Sequence, residues 1–362
     1  MMHTLAPILA ILDAGVHEGV APAMNVAILV HGKLIHQSWH GQAALFPAPR
    51  KLSKHDLFDV ASLTKVLCTT TLAALLVDNG ALKLESCVTS YFAQATHLQN
   101  VTVRHLLSHT SGLAAYKPYY ELVLAQPIDG YEKIHKAVLS ENLEATPGER
   151  VLYSDIGFII LGFIIEKITG ESLDVSFAKL IAQPLQLKRT FFIREGSINY
   201  TKYSYVATEQ CEHRKEVNCG SVNDDNAWAL DGVAGHAGLF SDAYDVVQIG
   251  QSWLNALQGK SSILKRNTAS LFAKRDNLPG STRALGWDTP SLTKSSIGNY
   301  LGRGLRGAIG HLGFTGTSLW IDIDNEIICV LLTNRVHPFC DNQMIKEFRI
   351  KFHDAIAEVL NV

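Results

Sequence analysis

The two most strand-like parts of this chain lie near its opposite ends. "MNVAILVHGKLIHQSWHG" holds two β-rich runs flanking His31-Gly32-Lys33, the pattern of an antiparallel hairpin. "TSLWIDID" and "IICVLLTN" repeat the pattern around a turn at Asn325. Between these pairs the apolar spacing is mostly helical, punctuated by Asn79-Gly80, Gly112, Pro147-Gly148 and Gly170. Strands at both ends with helices between them suit one sheet closed by both ends better than an alternating β-α-β order. Sequential hairpins make that sheet mainly antiparallel. The expected fold class is α+β: a mainly antiparallel sheet formed from both chain ends, flanked by N- and C-terminal helices over 4–18 and about 342–360, with an inserted helical region. The expected division is a sheet domain of residues 1–70 and 231–362 and a mostly helical inserted domain of 71–230. Residues 195–230, polar and aperiodic, read as a long loop region.

Charge and composition remove some classes of function. The 362 residues carry a net charge of −2 at neutral pH, so nothing draws the chain to nucleic acid or an anionic membrane. The N-terminal apolar run lacks a preceding Lys or Arg and is broken by Asp13, unlike a signal peptide. The apolar run Ile156–Ile165 is too short to span a bilayer. With an initial Met, these features point to a cytoplasmic protein, or a periplasmic one if the chain was trimmed. Cys68 and Cys329 sit in apolar runs and read as core residues. Cys211 and Cys219, with His213 between them, lack two of the four ligands a zinc site needs, and free thiols are the plainer reading. Neither metal nor cofactor is expected.

The pattern Ser-x-x-Lys occurs four times, at Ser62–Lys65, Ser176–Lys179, Ser262–Lys265 and Ser291–Lys294, so the pattern alone decides nothing. The last copy follows Pro290 in a polar loop, the third adjoins a charged stretch, and the second lies mid-helix, where a serine bonds back to its own turn. Ser62 differs. It precedes "VLCTTTLAALLV", a helix apolar on nearly every face and therefore buried. A serine in the first turn of such a helix meets free backbone N–H groups, with Lys65 one turn on along the same face. Burial should lower the Lys65 pKa toward that of a useful base, giving an activated serine that needs no histidine. The competing reading is an N-cap serine with a snorkelling lysine.

"PGERVLYSDIGFIILG" places Tyr153-Ser154-Asp155 before a second buried helix, and "GHLGFTGTSLWID" places His311-Leu312-Gly313 at the start of an expected strand. Together with Ser62–Lys65, "VRHLLSHTSGL" and "NDDNAWALDGVAGHAGLFS", these elements resemble the serine β-lactamase and penicillin-binding-protein superfamily. The similarity is to the branch with class C β-lactamases, D-aminopeptidases and family VIII esterases, from about residue 25 to 335. The resemblance implies a serine hydrolase of the β-lactamase/DD-peptidase-like fold, acting on a small ester, amide or peptide through an acyl-enzyme at Ser62. Lys65 would relay the proton, Tyr153 would pass it to the leaving group, and His311-Leu312-Gly313 would stand for the family's Lys-Thr-Gly. The backbone N–H groups of Ser62 and Phe314 would form the oxyanion hole. Asp155, Gly313 and Thr315 would meet the substrate, and His236, in a segment that lines the family's cleft, would either touch the substrate or hydrogen-bond its own loop.

Two departures bear on the substrate. Asp155 stands where the family has Asn, and is placed to pair with Lys65 instead. His311 and Leu312 replace the Lys and Thr that bind the carboxylate of β-lactams and D-Ala-terminated peptides, which moves weight toward esters, amides or small peptides. An amidase or peptidase of cell-wall fragments, a weak β-lactamase and a silent ligand-binding scaffold are the alternatives.

Other motifs carry less. "GRGLRG" at 302–307 lacks the strand before and helix after that a dinucleotide site requires. His105 and His109 lack a third metal ligand, and the resemblance makes His109 part of a turn. Tyr116, Tyr119 and Tyr120 read as packing or as a cleft wall.

Overall fold

A computed structural model describes residues 5–194, 202–291 and 293–362. Residue 4 of the expected first helix, the first part of the expected loop (195–201) and residue 292 of the last Ser-x-x-Lys copy lie outside the described residues.

The chain opens with α1 (Ala6–His17), whose first turn holds Pro7 where no N–H is needed. The hairpin of β1 (Ala23–Val30) and β2 (Lys33–Ala44) follows, then β3 (Arg50–Lys51) and β4 (Asp56–Asp59). A 3-10 turn (Ala61–Leu63), a π-helical stretch (Lys65–Thr70) and α2 (Thr71–Asp78) make up the expected buried helix. The helical middle comprises α3 (Val103–Leu107), α4 (Tyr120–Ala125), α5 (Gly130–Leu139), α6 (Asp155–Thr169) and α7 (Leu173–Phe177).

β5 (Phe191–Phe192) precedes the stretch expected to be a long loop, and within that stretch lie the short strands β6 (Ser204–Tyr205), β7 (Gln210–Cys211) and β8 (Glu216–Val217) and helix α8 (Asp225–Ala229), joined by turns and irregular chain. Elements of two to five residues carry no readable period, which is why the sequence pattern missed them. After β9 (Leu239–Ser241), α9 (Ala243–Gln258) and α10 (Arg266–Ala273), the chain ends in β10 (Ala308–Leu312), β11 (Ser318–Asp322), β12 (Ile327–Thr333) and α11 (Ile345–Leu360).

The main sheet has the order β10-β11-β12-β1-β2-β3, with every neighbour antiparallel. The α+β class therefore holds, with β1 from one end of the chain and β12 from the other paired at its centre. Alternate residues of β1 serve two cores. Ala27 and Leu29 face the large core shared with α9 and the helical middle. Val26 and Ile28 face a second core with Trp320, Leu331 and the apolar sides of α1 and α11. Burial on both faces explains why β1 reads as a continuous apolar run, and each fully buried Ile or Leu contributes about 1.5–3 kcal/mol.

The segment Ala61–Asp78 is long and apolar enough to cross a membrane, but it is largely buried inside the molecule. A second small sheet, β5-β9-β4-β6, carries β4 up to the turn that presents Ser62.

Candidate active site

Strand β4 ends at Asp59, which is buried and accepts two backbone N–H bonds, from Ala61 at 2.8 Å and Asn223 at 2.6 Å. Burial raises its carboxyl to about 6. These bonds hold a tight turn in which Ala61 takes a left-handed φ of 49°. Ser62 follows at the edge of a cleft of about 640 Å³. The Lys65 side chain is fully buried below it.

The Lys65 Nζ lies 2.9 Å from Ser62 Oγ, 3.0 Å from the His236 carbonyl and 2.7 Å from Asp155 Oδ1. The Tyr153 ring centre lies 4.9 Å from Lys65 Nζ, and Tyr153 lines the cleft beside Ser62. Among the four Ser-x-x-Lys copies, only this one joins its own serine and lysine. Ser176 bonds Thr169, Ser262 bonds Ser252, and Ser291 bonds Thr293.

Tyr153 is fixed from the start of α6. Ser154 caps that helix by accepting from the Gly157 N–H at 3.2 Å, and its hydroxyl donates to the Ala114 carbonyl. The Ser154 N–H donates to His109 Nδ1 at 3.0 Å, while the His109 ring lies 4.5 Å from the Tyr153 ring. His109, expected only as part of a turn, thus holds the Ser154 backbone and packs against Tyr153. The turn itself is real, since His109 has a φ of 58°. His105 bonds backbone at Thr102 instead, so the two histidines do not converge.

The expectation for Lys65 is corrected. Burial alone would lower its pKa, but the Asp155 carboxylate and Tyr153 outweigh burial and raise it. Tyr153 is raised as well, by burial and by Asp155, against the pull of Lys65. The resting centre is an ammonium between a carboxylate and a neutral phenol.

His311 lies near the end of β10, not at its start, because the strand begins upstream at Ala308. Its Nδ1 is 2.8 Å from the Leu312 carbonyl, so that nitrogen carries the proton. Burial, Lys65 and Arg283 hold its pKa well below the ordinary histidine value. The ring is neutral, and its buried Nε2 has no hydrogen-bond partner among the described residues.

Gly313 and Phe314 line the cleft opposite Ser62. A Cβ on Gly313 would sit 2.0 Å from Thr317 Oγ1 and 2.7 Å from the Val60 carbonyl, so only glycine lets β10 approach the Ser62 turn this closely. Thr315 does not meet the cleft. It is fully buried, and its hydroxyl donates to the Asp59 carbonyl at 2.9 Å, because the loop after β10 is bolted to the end of β4. His236 is likewise buried at 1% exposure, and its Nε2 bonds Asp224 Oδ1 at 2.8 Å. It supports the cleft wall without forming it. Tyr116 lines the cleft, Tyr119 bonds Glu141, and Tyr120 lies against His213.

The sequence reading missed Arg283, Glu209, Asp224, Asp225 and Asp288, which also line the cleft. Arg283 holds its guanidinium 5.1 Å from the centre of the Tyr153 ring and 3.8 Å from Asp288. No local motif marks it. Asp224 had a legible signal, as the N-cap of α8.

Comparison with known proteins places these features in context. The Beta-lactamase family model matches residues 8–350. An N-acetylmuramyl-L-alanine amidase of Bacillus subtilis (strain 168) is 30% identical over 367 residues, covering 90% of this chain and 80% of that one. EstCE1, described as a hydrolase with promiscuous acyltransferase activity, superposes with a TM-score of 0.76 at 23% identity, over 97% of each chain. An octameric penicillin-binding protein homologue from Pyrococcus abyssi gives 0.75 at 19% identity, over 99% of this chain and 77% of that one. At these identities the two structures speak to the fold.

Proposed function

The chain belongs to the beta-lactamase family, and from that premise we propose that it is a serine hydrolase that cleaves a small amide of a cell-wall fragment through an acyl-enzyme at Ser62. The observation that carries this reading is the 2.9 Å contact of Ser62 Oγ with Lys65 Nζ, closed by Tyr153, whose ring centre lies 4.9 Å from the same Nζ.

In the proposed reaction Ser62 Oγ attacks the carbonyl carbon. The reactive form carries Tyr153 as a phenolate, its own proton lost to solvent and its charge stabilised by the Lys65 ammonium, and this phenolate takes the Ser62 hydroxyl proton as Oγ bonds to carbon. Lys65 itself is a donor in the resting state and has no lone pair to offer. Tyr153 then hands the proton to the leaving nitrogen as the C–N bond breaks. Water adds to the ester carbon by the same route in reverse, restoring the serine. The Ser62 and Phe314 N–H groups receive the developing oxyanion, each worth about 3 kcal/mol in the transition state.

The substrate class rests on the amidase relative and on the cleft. The sheet-edge lysine is replaced by a neutral histidine whose Nε2, unpartnered among the described residues, is free to accept a hydrogen bond from a substrate. That suits an amide or hydroxyl donor better than a carboxylate. The same feature supports a second reading, an esterase. All six cysteines are unpaired, which accords with a cytoplasmic recycling role.

Ser62→Ala is expected to abolish turnover of muropeptides and p-nitrophenyl esters with an unchanged circular dichroism spectrum, and to abolish labelling by a fluorophosphonate. Turnover that survives the substitution would refute the assignment. Preference for esters with no muropeptide cleavage would replace the amidase reading by the esterase one.

A further inference from the structure

One cluster of ligand-type side chains lies outside the chemistry above. Cys211, at the end of β7, His213, in the turn before β8, and Asp225, in the first turn of α8, bring three different donor atoms to one point. Cys211 Sγ lies 3.4 Å from His213 Nε2 and 3.9 Å from Asp225 Oδ1, and Nε2 lies 3.2 Å from Oδ1. Zinc with bonds of about 2.0–2.3 Å in tetrahedral array sets its ligands about 3.3–3.6 Å apart. The observed triangle matches those edges closely enough that a shift of a few tenths of an ångström seats the ion.

A hydrogen-bonded Cys–His–Asp relay is a poorer account. A relay uses one ring nitrogen for the thiol and the other for the carboxylate. Here Nε2 faces both, and the thiol is nearly equidistant from the two nitrogens, at 3.4 and 3.5 Å. The surroundings also suit a metal. Arg214, its side chain almost entirely buried, donates to Asp225 Oδ1 at 2.6 Å, the same oxygen that faces Cys211 and His213, and so fixes where that oxygen stands. The Tyr120 ring lies 4.9 Å from the His213 ring and nearly parallel to it, fixing the imidazole. Asp225 lines both the catalytic cleft and an adjoining cavity of about 850 Å³ that also meets Cys211 and His213. That cavity gives water access to a fourth position. Cys219 takes no part, since its thiol donates to the Tyr205 carbonyl.

We propose that Cys211, His213 and Asp225 bind one zinc ion, with water in the fourth position, and that the ion braces the wall of the cleft. Binding releases the Cys211 thiol proton and leaves a thiolate on the metal. The ion would tie the β7–β8 hairpin to the first turn of α8, one residue from the Asp224 that holds His236, whose carbonyl in turn accepts from Lys65.

The test is titration of the metal-free protein with Co²⁺, read by absorption. One equivalent is expected to give tetrahedral d–d bands and a thiolate-to-cobalt charge-transfer band. Zn²⁺ should displace the cobalt and raise the melting temperature. Cys211→Ser should remove the charge-transfer band and weaken binding by about a hundredfold or more, whereas Cys219→Ser should leave both unchanged. Absence of stoichiometric binding, a cobalt spectrum without the thiolate band, or loss of the band in Cys219→Ser would overturn the proposal. Should Cys211→Ser fail to fold, X-ray absorption of the zinc-loaded wild type decides: one sulfur with nitrogen and oxygen neighbours supports the site, and a shell without sulfur refutes it. None of these readouts depends on turnover.

Discussion

At Asp155 a single oxygen-for-nitrogen difference from the family's asparagine changes the state of the whole centre. The carboxylate raises both Lys65 and Tyr153 above their ordinary values for such a site. A group needed in its deprotonated form gives a rate that rises with pH through its pKa. Asp155→Asn lowers both pKa values, so the rising limb of kcat/KM should move toward lower pH. An unmoved limb in a pH–rate profile would show that Asp155 does not govern the proton relay. His109 acts differently, through its bond to the Ser154 N–H and its contact with Tyr153. His109→Phe keeps a ring but loses the acceptor. It should lower kcat more than it raises KM and cost about 1–3 kcal/mol in urea unfolding, from the buried N–H left unpaired. Both residues show where sequence reading stops. That Ser62, Lys65 and Tyr153 belong together is legible from order and spacing, and the structure brings the three side chains to one point. The direction of the Lys65 shift depends on a neighbour 90 positions away in the chain, and no pattern of spacing gives its distance or charge.

Among the elements, the loop after β10 decides how close the sheet edge comes to Ser62. Thr315 and Thr317 each donate to a carbonyl of the β4–Ser62 turn, at Asp59 and Val60, both at 2.9 Å. Gly313 lies in the same seam, and its missing Cβ is what permits the approach. Gly313→Ala should therefore push β10 away from Ser62. We expect at least a tenfold loss of kcat/KM and about 1–3 kcal/mol of stability, measured by ester hydrolysis and thermal unfolding. Long elements were legible: β1, β2, β11, β12 and the two end helices follow from period and turn residues alone. The short strands and α8 between 204 and 229 were not, because their conformation is set by partners such as β4 and by the Asp224 cap. Thr315 was misassigned for a related reason, since a buried threonine on a tight loop looks like any other in a linear motif.

The molecule as a whole should record one of these groups in its acid stability. Burial by itself would raise the Asp224 carboxyl, but His236 and the Ala227 N–H hold it down to about 2. A carboxyl depressed in the folded state adds stability above its unfolded pKa, and that stability disappears as pH falls through the folded value. Asp224 thus contributes about 2 kcal/mol near neutrality, lost between about pH 4 and pH 2. Denaturant midpoints across that range should fall more steeply for the wild type than for Asp224→Asn, and equal slopes would contradict the pairing with His236. The pairing of β1 with β12 has a consequence for how the protein comes into being. During synthesis β1 leaves the ribosome some 300 residues before its partner, as the register of Ile28 with Cys329 shows. Until β12 emerges, an apolar strand stands with one side open, in need of a chaperone or a temporary cover. The proposed nucleophile, Ser62, is made early, but the sheet edge opposite it is made late, so on that reading an incomplete nascent chain has no activity.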